Sequence, residues 1–257
     1  MNPIERFSDR VADYVRYRPH YPRAVFAELQ SRLGLGPESI VADVGSGTGI
    51  STRPLLEMGW TVFAVEPNAA MRLAAEQWLS GFPRYKSVSG TAEATMLSAR
   101  SVDAVLAAQA FHWFDGASTR REFQRILKPH GSVILLWNER PQTGTPFFEE
   151  YERLIQRFGT DYCQVKRNGR RATGRDQLCA FFGDCAVETM SFPNHQDFDF
   201  ERLKGQLLSA SYAPRADHPN HDLMIAELRD IFDRYSTRGK VTFPYETNVY
   251  FGRLQAD

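Results

Sequence analysis

The chain has 257 residues with 31 Lys+Arg against 31 Asp+Glu, a formal net charge of +0, so no global field steers it to nucleic acid or an anionic membrane. Hydrophobic residues at 42% and charged residues at 24% exclude a disordered or membrane-embedded composition and suit one α/β domain with some insertion, or two small domains. No apolar run reaches a membrane span, and the charged, aromatic N-terminus lacks the apolar region of a secretory signal.

The opening stretch, residues 14–22, holds three tyrosines, two arginines and two prolines. It forms neither an amphipathic helix nor a strand, and Pro19 and Pro22 stiffen it. It reads as a flap in which Arg18 could pair with a carboxylate and a tyrosine face could lie on a cation. Residues 24–33 read as a helix with Val25, Phe26, Leu29 and Leu33 on one face and Gly34 as its stop.

Residues 41–52, VADVGSGTGIST, follow. A β-branched run ends at Asp43 and opens into a loop with Gly45, Gly47 and Gly49, then a helix over about 50–58 closed by Gly59. Glycines there allow positive φ and remove the Cβ that would keep a ligand off the backbone. The loop amides are expected to face the crevice at the strand's carboxyl end, where open α/β sheets bind ligands. Glu66 ends the next apolar run, 61–65, about 20 residues beyond the first glycine, where such folds grip ribose hydroxyls. The loop is D-x-G-x-G-x-G rather than the G-x-G-x-x-G of a dinucleotide site, and no Lys-Ser or Lys-Thr follows as in a P-loop.

Beyond Glu66, Asn68 is a plausible N-cap for a helix carrying Met71, Ala74, Ala75 and Trp78. A short strand over 85–89 leads into Gly90-Thr91-Ala92-Glu93. Residues 103–108 are continuously apolar, as in a strand buried on both faces, and end at Gln109-Ala110-Phe111-His112-Trp113-Phe114. A helix over about 117–127 and a strand over 132–137 follow. This alternation means βαβ units and a parallel sheet, with the strand ends at Glu66, Gly90, Gln109 and Asn138 on the same rim as the glycine loop.

After Asn138 the pattern changes. Residues 146–158 read as an aromatic-rich amphipathic helix, and 166–171 with Arg175 as a solvated mobile basic loop. A strand over 186–192 and helices over 200–208 and 222–235 follow. A long β segment over 240–253 closes the chain, and its Pro244 argues for a bulge or edge position. Cys163, Cys179 and Cys185 are too few and too oddly spaced for a disulfide framework or zinc knuckle and read as thiols. A cytoplasmic setting fits these features.

From Arg18-Pro19 through Gly131 the chain resembles the class I S-adenosylmethionine (SAM)-dependent methyltransferases, methyltransferase type 11-like. Within them it looks like the small-molecule branch that opens Tyr-x-x-x-Arg-Pro-x-Tyr-Pro, here 14–22. That branch has Gln-Ala-x-His-Trp-Phe after the fourth strand, here 109–114, and Ser-x-Ser-Tyr before the last helix, here 209–212. It includes enzymes that methylate small carboxylic acids such as trans-aconitate. Where the family carries a Leu-Pro pair before the fourth strand, this chain has Met96-Leu97-Ser98. The resemblance implies a single domain over 1–257. Its fold would be a doubly wound, Rossmann-like sheet of six parallel strands and an antiparallel last one, with an N-terminal flap and helix in 1–35. Substrate-side helical additions over the active-site rim would span 140–235.

The resemblance also implies roles. Asp43 and the backbone of Gly45, Ser46, Gly47, Thr48 and Gly49 would hold the methionine part of SAM. Glu66 would take both ribose hydroxyls, Pro67 and Met71 would flank the adenine, and Ala92 and Glu93 would meet its edge. Gln109 and Ala110 would line the pocket beside the sulfonium, with the Arg18 region closing over it. For the acceptor, Tyr14, Trp137, Asn138 and Tyr212 are the candidates, and Arg18, Arg140 and Arg215 could recognise an anionic one. His112 stands at a strand end on the rim and is the candidate base, which a carboxylate nucleophile would not need.

No metal site is expected: His218 and His221 lack further ligands nearby in sequence. The expected partner is a small-molecule acceptor, with no nucleic acid and no membrane, for a monomer or homodimer. The alternative reading is a non-catalytic SAM- or nucleotide-binding regulatory protein that kept the fold.

Overall fold

A computed structural model describes residues 18–140, 145–164, 174–183 and 187–255. Tyr14 and the basic run 166–171 lie outside them. Helix α1 (Arg23–Leu33) is followed by β1 (Ile40–Val44), α2 (Thr52–Glu57), β2 (Thr61–Val65), α3 (Ala69–Trp78), β3 (Tyr85–Val88) and β4 (Val102–Ala108). A 3-10 turn (Phe111–Trp113) leads to α4 (Gly116–Ile126) and β5 (Leu127–Glu139). The second half comprises α5 (Pro146–Phe158), α6 (Arg175–Phe182), β6 (Glu188–Phe198), α7 (Phe200–Leu208), α8 (His221–Tyr235) and β7 (Val241–Gly252).

The seven strands form one sheet in the order β3-β2-β1-β4-β5-β7-β6. Neighbours from β3 to β5 pair in parallel, while β7 runs antiparallel to both β5 and β6. Six strands therefore share one direction and β7 opposes them, as the family resemblance implied. Alternation along the strands builds two core layers. Val41, Leu106 and Ile134 pack on one face with Phe26, Leu29, Leu55 and Trp60; Ala42, Val105 and Leu135 pack on the other with Phe123, Ile126 and Phe181. Burial on both faces explains why the β4 sequence VDAVLAA is apolar without alternation.

A third core stands beyond the sheet's carboxyl rim. There α5, α7 and α8 pack through Phe148, Tyr151, Leu154, Leu203 and Leu228 against the end of β6 (Phe198) and the start of β7 (Phe243, Tyr245). These are helical additions over the rim where the strand ends lie.

Several sequence expectations change. Strand β5 begins at Leu127, not 132, and β6 runs to Phe198, not 192. The inward positions of β6 alternate Met190, Phe192, Asn194, Gln196 and Phe198, and two polar residues among them hide the strand from an apolar period. Helix α6 went unread beside the basic run, although Leu178, Phe181 and Phe182 have helical spacing and are buried. Helix α2 starts at Thr52 rather than 50 because the glycine loop extends through Ser51. Pro244 is not on an edge strand, since β7 is internal, but its pairing with β5 ends at Glu246, so only β6 faces it. Cys163 is a free exposed thiol, whereas Cys179 is disulfide-bonded, which corrects its reading as a thiol.

Candidate active site

The glycine loop leaves β1 with φ of +72° at Gly45, +55° at Gly47 and +89° at Gly49. A Cβ on Gly45 would come within 2.6 Å of the Ala110 Cβ, so the loop and the β4 exit need that glycine to approach each other. The loop's amides are mostly spent inside the protein. Gly45 and Ser46 donate to the Val65 carbonyl (2.9 and 3.2 Å), Gly49 to Ser46 (2.9 Å), and Gly47 to the Glu66 carboxylate (2.9 Å). The expectation that these amides face the crevice is therefore corrected. What the loop offers is Cβ-free surface between two carboxylates.

Asp43 is fully buried. Its Oδ2 accepts from the hydroxyls of Ser51 (2.8 Å) and Thr52 (2.7 Å), while Oδ1 has no partner among the described residues. Burial pushes its carboxyl up to about 6, against the two hydroxyl donors that lower it, with a further upward contribution from the Glu66 charge. Glu66 accepts from Gly47 N on one oxygen and from Asn68 N (2.8 Å) on the other. Burial raises its carboxyl too, opposed by those two amides and by Arg72. Asn68 caps α3 as the sequence indicated, its side chain accepting from Ala70 N and Met71 N.

A cleft open to solvent adjoins the loop and is lined by Gly45, Ser46, Gly47, Gln109, Asn138 and Arg18 among others. Expected residues at the ends of β1, β4 and β5 thus gather at the cleft, and Glu66 at the end of β2 is tied to it through Gly47. Gln109 adopts φ +55° and donates from Nε2 to the Asn138 carbonyl (3.0 Å). Met71 Sδ lies 3.8 Å from the position of a Cβ on Gly47, which puts α3 beside the loop. Pro67 follows Glu66 at the start of α3, its carbonyl 3.4 Å from Arg72 Nη1. The Ser46 and Thr48 hydroxyls are buried and have no partner among the described residues. Glu93 accepts from Asp115 N (3.0 Å), and Ala92 is buried in the core.

The segment 18–22 crosses the cleft. Arg18 donates to the Ser209 carbonyl (3.1 Å), and the His20 carbonyl accepts from Asn194 Nδ2 (2.8 Å) and Asn138 Nδ2 (3.4 Å). Pro19, Tyr21, Ile50 and Ser51 also line it; the last two are not among the residues expected from sequence, although they follow directly on the glycine motif.

The other expected acceptor residues separate. Trp137 packs in the core against Phe111 (6.3 Å) and Tyr250 (5.9 Å) and does not line the cleft. Tyr212 instead sits beside Arg140, whose Nη2 donates to its hydroxyl (3.0 Å). His112 lies in the 3-10 turn with Nδ1 unpartnered among the described residues, and burial pushes its imidazolium down to about 4.

A methyltransferase-domain family profile matches residues 42–135, from β1 through most of β5. An uncharacterized methyltransferase-like protein of Schizosaccharomyces pombe is 33% identical over 159 residues, 62% of this chain and 60% of its own length. The chain thus spans less than two thirds of that relative. A second uncharacterized methyltransferase of the same yeast is 30% identical over 226 residues, covering 88% of this chain and 86% of the relative. Among solved structures, a protein of Anaeromyxobacter dehalogenans assigned as a type II methyltransferase superposes with TM-score 0.65 at 21% identity, covering 94% of this chain and 100% of that one. That likeness bears on fold, whereas the near full-length relative bears on descent. The chain belongs to the methyltransferase family.

Proposed function

We propose that this protein transfers the methyl group of SAM to a small-molecule acceptor, small carboxylic acids being the first class to test, as in the branch typified by trans-aconitate methyltransferases. The observation that carries this reading is the charge of the loop. Four of its amides are already spent, and two carboxylates, Asp43 with an orphaned oxygen and Glu66, flank it. Such a cradle repels phosphate, which wants free N–H donors, and suits a cationic ligand with hydroxyls.

SAM would supply an activated methyl carbon on a sulfonium leaving group. Asp43 and the Gly45–Gly49 backbone would hold its methionine part, with Ser46 and Thr48 placing their buried hydroxyls there. Glu66, each oxygen already fixed by one amide, would accept from both ribose hydroxyls. Pro67, Met71, Ala92 and Glu93 would surround the adenine, and Gln109 and Ala110 would border the reacting end. The residues 18–22 would exclude water and help hold nucleophile, methyl carbon and sulfur in line, an effect worth up to about 7–11 kcal/mol in well-oriented systems. As the methyl moves, the acceptor's lone pair forms the new bond and the C–S electron pair stays on sulfur.

A carboxylate nucleophile needs no base. His112, whose conjugate acid is too strong to hold a transferred proton at neutral pH, then serves as a neutral hydrogen-bonding group. The test is incubation of the full chain with methyl-labelled SAM and a panel of small carboxylic acids, amines and phenols. The expected result is label in base-labile methyl esters; label in none of the three classes would contradict the proposal.

A further inference from the structure

Beside the cleft lies a chamber whose chemistry the glycine loop does not explain. Arg140, two residues past the cleft-lining Asn138, sits with its guanidinium 5.4 Å from the ring centres of both Tyr151 and Phe243. Tyr162, Tyr212 and Tyr245 also lie near it. Its side chain keeps 23% of its surface accessible.

A guanidinium has five N–H donors. Among the described residues Arg140 makes one hydrogen bond, to the Tyr212 hydroxyl, and its nearest carboxylate oxygen is that of Glu152, at 3.9 Å from Nη1. Glu152 is itself engaged by the Tyr162 hydroxyl (2.8 and 2.6 Å to its two oxygens). Burial holds the tyrosines in their neutral form, the hydroxyls of Tyr151, Tyr162 and Tyr245 all being pushed well above their ordinary range. Arg18, which lines the cleft, lies near Tyr151 and Tyr245.

Its walls are also rich in donors. Tyr151 is fully buried and its hydroxyl has no partner among the described residues. Tyr212 uses an oxygen lone pair to accept from Arg140, which leaves its own hydrogen to be donated. Gln206 donates to the Tyr245 hydroxyl (3.1 Å) on the far wall. A largely enclosed cation with most of its donors unused by the protein can offer them to an anion. A planar carboxylate matches the guanidinium fork, and the aromatic rings suit a flat carbon skeleton.

We infer that the chamber around Arg140 is a subsite for an anionic group of the acceptor, with Arg140 as its specificity-determining residue. The inference rests on the methyl-transfer reading for what is then done to the bound molecule, but the binding itself does not require it.

The experiment uses the full chain saturated with S-adenosylhomocysteine and three probes, acetate, benzoate and malonate, each paired with its neutral amide. Binding is read by ligand-observed NMR. At least one carboxylate is expected to bind, tenfold or more tightly than its amide. Arg140→Met is expected to weaken that binding at least tenfold and Arg140→Lys to restore part of it, with S-adenosylhomocysteine affinity changed less than about threefold. Should Arg140→Met fail to fold, Tyr151→Phe and Tyr212→Phe together are expected to weaken the same carboxylate at least threefold. No carboxylate bound, amides bound equally well, or binding indifferent to these substitutions would overturn the subsite. Arg140-dependent carboxylate binding by a protein that ignores S-adenosylhomocysteine would instead keep the subsite and remove the methyl-transfer reading.

Discussion

Asp43 carries a pH-dependent cost to stability that its burial imposes. Its folded carboxyl titrates at about 6 against 3.8 ordinarily, so the folded state holds this proton more tightly than the unfolded chain. Stability therefore falls as pH rises through that window and the penalty is complete above it, about 3 kcal/mol at most. Asp43→Asn keeps an oxygen for Ser51 and Thr52 and removes the charge. Thermal melts from pH 4 to 8 should show a flatter profile than wild type and no loss of stability at pH 8, while SAM binding is lost; an unchanged pH slope would remove Asp43 as the cause. His112→Gln makes the converse point. A group that is neutral throughout the neutral range cannot supply an inflection there, so the pH–rate profile should keep its shape between pH 6 and 9 and the rate should fall less than about tenfold. A fall of a thousandfold would restore the base role.

At the scale of elements, the arrangement of the glycine loop between its two carboxylates was legible because its constraints are local. Gly45, Asp43 and Glu66 sit at fixed offsets, and each is demanded by backbone conformation or charge at that position. The cluster around Arg140 was legible only in part, through Arg140 and Tyr212 singly. Arg140, Tyr151, Tyr162, Tyr212 and Tyr245 come from a strand end, helices, loops and an internal strand, and no spacing links them until β7 inserts between β5 and β6. Strand β6 extends beyond its apolar residues for a related reason: Asn194 and Gln196 take inward positions, and Asn194 holds the segment beside the cleft rather than packing in the core. Asn194 bridges the His20 carbonyl, Asn138 Oδ1 (3.2 Å) and Thr247 Oγ1 (3.4 Å). Asn194→Ala should loosen residues 18–22 and speed SAM dissociation about three- to tenfold, in stopped-flow displacement, with stability lowered by no more than about 1–2 kcal/mol. Unchanged dissociation would mean that this segment does not retain the ligand.

For the whole molecule, the parallel strands present loop, carboxylates and cleft along one rim, and the third core of α5, α7 and α8 stands over that rim. The antiparallel β7 connects the two, carrying Val249 and Phe251 in the sheet core and Phe243 and Tyr245 in the chamber wall. No helix among the described residues is long and apolar enough to cross a membrane. Methyl transfer at this rim depends first on whether the carboxylate-flanked loop binds SAM. Calorimetry of the full chain with SAM, repeated on Glu66→Ala with folding checked by its melt, measures this directly. The account predicts binding by wild type and a loss of about a hundredfold or more in the variant, since two charge-assisted hydrogen bonds to the ribose disappear, each worth roughly 1.5–3 kcal/mol. A folded wild type that does not bind SAM, or a folded Glu66→Ala that binds it equally well, would contradict it.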